Sequence, residues 1–170
     1  MNRRSRAARE QHAGATQALR ALEAAGVPFE TLTYVHDERS GLGFGSEAAA
    51  ALGEAPDLVL KTLLVGDGSS LAVVVLPVSH RLSLKAAARA MGLKKAALLE
   101  PAQAERVTGY VVGGISPLGQ KRRLPTVVDA SIAAAPRVVV SGGRRGLSVA
   151  LSPQDLVRAV NGTFADLIEH

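Results

Sequence analysis

The chain has 170 residues, 47% hydrophobic and 21% charged, which is the length and balance of one soluble globular domain rather than a disordered segment. It contains no cysteine and no tryptophan, which excludes disulfides, thiolate–zinc sites and a cysteine nucleophile, and leaves Ala, Val, Leu and Ile to build the core. Its net charge of +5 hides an uneven division: residues 21–80 carry eight acidic and two basic side chains, and residues 81–145 carry twelve basic and three acidic ones, so a polyanionic partner is expected.

Residues 1–14 are basic and lack an apolar signal region, so they are expected to form a flexible extension able to add phosphate affinity. The Leu19/Leu22 spacing predicts a helix over 16–25, stopped at Gly26. Residues 29–35 read as a strand. GLGFG at 41–45 reads as a loop, with Ser46 capping a helix over 47–52. Apolar runs ending at Val65 and resuming after Asp67-Gly68 predict a hairpin that returns through Leu76. Ser83 caps a helix over 84–91, and another helix follows Pro101. Residues 110–119 read as a strand breaking into a glycine-rich loop. Short strands are expected at 126–128 and 137–140, then a hairpin return at 147–151 after SGGRRG, and a last helix over 153–160 capped by Ser152. Helices mixed with short strands, without regular βαβ alternation, point to a single α+β domain over 15–170 with a barrel-like sheet. No apolar run approaches the roughly 18 residues of a membrane span, and no basic amphipathic helix suggests a membrane surface.

Lys61 stands out because both faces of its strand are otherwise apolar. Such an ammonium belongs at the mouth of a pocket, or guards an exposed sheet edge. In Gly113-Gly114-Ile115-Ser116-Pro117-Leu118-Gly119 the glycines let main-chain N–H groups approach an anionic oxygen, and Lys121-Arg122-Arg123 follows after Gln120. Ser141-Gly142-Gly143-Arg144-Arg145-Gly146 suffices as a hairpin loop, and equally offers a hydroxyl and two guanidinium groups to a nucleotide. The four histidines, at 12, 36, 80 and 170, have no metal-ligand spacing. Adjacent His36 and Asp37 would point to opposite faces of a strand, so a structural role is expected for His36. GLGFG is neither a dinucleotide fingerprint nor a Walker loop, and no G-x-S-x-G elbow is present.

Four segments in register, TYVHD at 33–37, LKTLLV at 60–65, TGYVVGGISPLGQKRRLPT at 108–126 and VSGGRRGL at 140–147, closely resemble the YbaK-type Cys-tRNA(Pro) deacylases. These are relatives of the editing insertion domain of prolyl-tRNA synthetase. The resemblance implies an α+β editing domain over 15–170 with a largely antiparallel, barrel-like sheet and surrounding helices. It implies a cytoplasmic enzyme without cofactor or metal that hydrolyses the ester joining a wrong amino acid to tRNA. Lys61, Gly113 and Gly114 would be catalytic. Tyr34, Phe44, Thr62, Ile115, Ser116, Ser141 and Gly142 would bind the aminoacyl-adenosine end, and Lys121, Arg122, Arg144 and Arg145 the tRNA. Prolyl-tRNA synthetase would be a transient partner. Ser148 stands where close relatives carry Asp. Alternatives are clearance of Ala-tRNA(Pro) or another small aminoacyl-tRNA, and a non-catalytic tRNA- or synthetase-binding module.

Overall fold

The computed structural model describes residues 15–170; the basic extension at 1–14 lies outside the described residues. Helix α1 (Gln17–Ala25) leads to strand β1 (Glu30–Thr33) and helix α2 (Phe44–Leu52). The hairpin of β2 (Leu60–Gly66) and β3 (Leu71–Pro77) precedes α3 (Leu84–Met91), a two-residue β4 (Ala97–Leu98) and α4 (Pro101–Thr108). Then come β5 (Thr126–Asp129), a 3₁₀ turn (Ala130–Ile132), β6 (Val138–Arg144), β7 (Leu147–Leu151), α5 (Pro153–Val160) and β8 (Thr163–Ala165).

The α+β class holds, but the barrel does not. The strands form a three-stranded sheet, β1-β7-β6, and a five-stranded sheet, β4-β2-β3-β5-β8. The first is antiparallel; the second is mixed, with β3/β5 and β5/β8 parallel. Among the described residues a single bridge, Val59 to Val139, joins the two sheets, with the Val139 N–H donating to the Leu58 carbonyl at 2.8 Å. Beyond it β2 and β6 splay apart instead of zipping into a closed wall.

Period-two alternation assigns each strand an inner and an outer face. Val73 and Val75 of β3, with Val138 and Val140 of β6, point inward to the main core, which α1 and α5 close through Leu22 and Leu156. Val74 and Ala72 point outward beneath Ala87 and Ala88 of α3. Val139 and Ala150 of the smaller sheet face Ala49 of α2. With so few aromatics, alanine-rich helix faces lie close against valine-rich strands. No helix among the described residues is long and apolar enough to cross a membrane.

Caps set the helix ends. Thr16, Ser83 and Ser152 accept N–H bonds at the starts of α1, α3 and α5. Thr16 also donates to the Gly142 carbonyl, tying α1 to an irregularity in β6 where Ser141 and Arg144 pair but the two glycines between them do not. Two expectations fail locally. α2 begins at Phe44 behind Gly43 rather than behind Ser46. Residues 110–119 form no strand, because the Gly114 N–H turns back to the Val111 carbonyl at 2.8 Å and Gly113 has a φ of +92°.

Candidate active site

The splay between the sheets holds a cavity of about 290 Å³. Residues 60–64 of β2 form one wall, and Val140, Ser141, Leu147 and Ser148 the wall opposite. The start of α2 contributes Phe44, Gly45 and Ala48; Leu98, Leu99, Pro101 and Ala104 close the far end. Tyr34, Gly113 and Ile115 complete the rim. The failure of the sheet to close and the presence of the cavity are one feature.

Lys61 reaches this cavity half-buried, its Nζ donating to the His80 carbonyl at 2.7 Å. Burial holds its pKa below the ordinary lysine value, and the positive charge of Arg81 lowers it further. One of the three ammonium donors is thus fixed. Tyr34 is pushed above the usual phenol range, first by burial and then by the charge of Glu47, against a backbone hydrogen bond from Gly146.

Phe44 divides the cavity from a second hollow of about 260 Å³, which His36, Asp37, Glu47 and Arg145 help to line. The Arg145 guanidinium lies 4.9 Å from the Phe44 ring centroid and donates from Nε and Nη2 to the Val112 carbonyl at 3.0 and 2.7 Å. A Cβ at Gly113 would stand 2.7 Å from both Phe44 and Arg145, so this close approach requires glycine. Arg145 is therefore engaged in the wall of the site.

The structure brings Tyr34, Phe44, Lys61, Thr62, Gly113, Ile115 and Ser141 together around one cavity. Gly114 is buried behind it, its N–H taken by Val111, and a Cβ there would meet the Arg144 main chain at 2.7 Å. Ser116 is fully buried away from the cavity, its Oγ accepting from the Leu118 N–H at 3.2 Å and its carbonyl from Gln120. Gly142 is likewise buried, against Leu147. Lys121, Arg122 and Arg144 are exposed outside the cavity.

Sequence reasoning missed the partner of His36. Glu47, 7% exposed, accepts from the Asp37 N–H at 2.7 Å, and its Oε2 lies 3.0 Å from His36 Nδ1. The His36 ring is 5.7 Å from that of Phe44. A buried acid in the first turn of a helix suits the N-terminal dipole, and an acidic residue in that turn was the available signal. Ser148 is buried and lines the cavity.

Residues 45–159 match the model of the aminoacyl-tRNA editing domain. A curated Enterococcus faecalis protein, EbsC, named as a candidate Cys-tRNA(Pro)/Cys-tRNA(Cys) deacylase, is 33% identical over 154 residues, 89% of this chain and 92% of its own. The crystal structure of a hypothetical protein, APE2540, superposes with a TM-score of 0.80 at 29% identity, covering 91% of this chain and all of the other. That of a candidate trans-editing enzyme for prolyl-tRNA synthetase gives a TM-score of 0.80 at 24% identity over 91% of this chain and 96% of the other, a likeness of fold. The chain belongs to the aminoacyl-tRNA editing domain family, in agreement with its YbaK-type motifs, and is an aminoacyl-tRNA deacylase.

Proposed function

We propose that the chain is a trans-editing enzyme that clears cysteine from mischarged Cys-tRNA(Pro), with Cys-tRNA(Cys) as a second substrate. Support comes from the name carried by the E. faecalis relative and from the motifs that line the cavity. The carrying observation is a half-buried ammonium, Lys61, anchored by the His80 carbonyl beside a small, mostly apolar cavity lined also by Gly113 and Ser141. Its volume is roughly ten times that of a water molecule. That is ample for a cysteinyl group and its ester.

An aminoacyl ester is already activated and needs placement and charge stabilisation more than a protein nucleophile. Lys61 anchors and polarises the acyl-adenosine end with the donors not held by His80. Since the Gly114 N–H is engaged elsewhere, the loop's contribution rests on Gly113 and Ile115. Ser141 lies toward the terminal nucleotide, and the exposed Lys121, Arg122 and Arg144 toward its phosphates. The attacking group is the substrate's own thiol, giving a cyclic thiolactone, or a positioned water. Cysteine and proline differ too little in size for one synthetase pocket to separate them by more than about 1–3 kcal/mol, which is the error a second site corrects. Prolyl-tRNA synthetase would supply tRNA identity in a transient ternary complex.

Single-turnover deacylation of Cys-tRNA(Pro) and Ala-tRNA(Pro) by wild type and Lys61→Ala tests the reading. The expected result is preference for the cysteinyl substrate and a loss of about 100-fold or more in the variant, with an unchanged circular dichroism spectrum. Near wild-type turnover by Lys61→Ala rejects the assignment. Product analysis for thiolactone against free cysteine identifies the attacking group.

A further inference from the structure

We propose that the aminoacyl group docks on the free edge of β2 as a one-residue addition to the sheet, exchanging two hydrogen bonds with the main chain of Thr62. The inference rests on the editing reading above and adds to it the element that orients the acyl carbon.

The argument is one of strand parity. In an antiparallel ladder, alternate residues turn both their N–H and their C=O toward the same neighbour. The Leu58 carbonyl accepts from Val139 and the Leu64 carbonyl accepts from Leu99 at 3.0 Å; both point away from β3. Leu64 stands opposite Val73, whose own N–H turns outward to the Pro125 carbonyl at 2.8 Å. Leu64 and Val73 are therefore a non-hydrogen-bonded pair, and so, two residues along, are Thr62 and Val75. The N–H and C=O of Thr62 must face away from β3. On that side β4 pairs only with Val65 and Gly66, and β6 bridges only at Val59. Among the described residues no strand pairs with Thr62 there, and Thr62 lines the cavity.

A main-chain donor and acceptor side by side match an aminoacyl ester in the way one strand residue matches its hydrogen-bonded partner. The Thr62 carbonyl accepts from the substrate's α-ammonium, and the Thr62 N–H donates to the ester carbonyl oxygen. Opposed residues in such a pair share a face, so the cysteinyl side chain lies on the face of Leu60 and Leu64, toward Ala104 and Ile115. As the nucleophile's sulfur or oxygen bonds to the acyl carbon, the carbonyl π pair moves onto the oxygen held by Thr62. It returns as the bond to the ribose oxygen breaks, and the nucleophile's proton ends on that oxygen. A prolyl ester fits poorly, because its ring ties the nitrogen to the side chain, so its secondary ammonium has one N–H fewer than a primary one and cannot rotate to aim a donor along the ladder. The edge thus discriminates against the cognate amino acid by backbone geometry, whatever the thiol adds.

Two measurements test this. Replacing residue 62 with the α-hydroxy analogue of threonine, by nonsense suppression, turns its N–H into an ester oxygen. The expected result is a drop of about 100-fold in the single-turnover rate constant with little change in tRNA affinity. In the ¹⁵N-labelled wild type, titration with 3′-deoxy-3′-(cysteinylamino)adenosine, a stable amide in place of the ester, should shift the Thr62 amide proton downfield. An unchanged rate in the backbone-ester enzyme, or a Thr62 amide that stays in place at saturation, overturns the inference. With Lys61→Ala inactive, the editing reading would survive that failure. An inert wild type would sink the editing reading instead, and the amide titration would then decide the edge inference alone.

Discussion

Two influences act on the Lys61 ammonium, and both favour loss of its proton: desolvation at the cavity, then the neighbouring charge of Arg81. The sign follows directly. A lysine pKa lowered from 10.5 loses its charge at a lower pH than a free side chain, so any step that needs the ammonium fails earlier on the alkaline side. Side-chain ¹⁵N titration of Lys61 should give a midpoint below the ordinary value, and Arg81→Gln should move that midpoint upward, together with the alkaline limb of kcat/KM. An unmoved midpoint in Arg81→Gln would mean that burial acts alone. Glu47 makes a different case. Its buried carboxylate accepts from Asp37 and His36, so Glu47→Ala should remove both charge-assisted bonds and lower stability by about 1–3 kcal/mol in a denaturant titration. Lys61 was legible because a cation interrupting a strand with two apolar faces has few explanations. The His36–Glu47 pair was not, because its members lie eleven residues apart and meet only once α2 packs over the smaller sheet.

Elements with capping chemistry were readable almost to the residue. Thr16, Ser83 and Ser152 start helices, and Gly26 and Gly92 end two of them in the left-handed region. A cap is local physics: a side-chain oxygen and an N–H three residues on. Ser152→Ala should cost about 1 kcal/mol, seen as a lower denaturant midpoint at unchanged slope. α2 misled because Gly43 starts it without any side-chain bond, leaving no polar cap to find, and Phe44 thereby enters the first helical turn instead of a loop. β4 and β8, of two and three residues, are too short to carry a period and exist only because a longer strand offers them an edge. Tyr110, Val111 and Val112 read as a strand ahead of the glycine-rich loop, yet the Gly114 N–H closes locally onto Val111 and Gly113 reverses the chain. Gly113→Ala should both strain a φ of +92° and drive a methyl group into Phe44 and Arg145. Loss of deacylation at lowered thermal stability is the expected outcome, and an active variant with the wild-type Tm would show that Phe44 can move aside freely.

At the scale of the whole molecule, the succession of short strands and helices foretold an α+β domain but not the open seam that holds the cavity. A barrel and two splayed sheets demand the same alternation within each strand; they differ in which long-range edges meet, and no local pattern encodes that. Charge behaved similarly. The basic stretch 81–145 was plain in the sequence, but its cations are dispersed by the fold: Arg145 stacks on Phe44, and Arg81 sits beside Lys61. Lys121 and Arg122 are exposed, and their N–H groups bond to the Thr108 and Val107 carbonyls at 2.9 and 3.3 Å. They are thereby fixed to the C-terminal end of α4, whose other end contributes Pro101 and Ala104 to the cavity. Eight helical residues span roughly 12 Å, which holds the two cations beyond the cavity, on the side proposed above for the tRNA phosphates. Removing them should therefore weaken tRNA binding without touching chemistry. The Lys121→Ala/Arg122→Ala double variant should lower the slope of log K against log salt by about 0.7 for each phosphate that is no longer neutralised. Its rate constant at saturating Cys-tRNA(Pro) should stay at the wild-type value. A slope equal to wild type would place the tRNA backbone on another face, whereas a lower slope accompanied by a slowed chemical step would mean that these cations help to seat the ester itself.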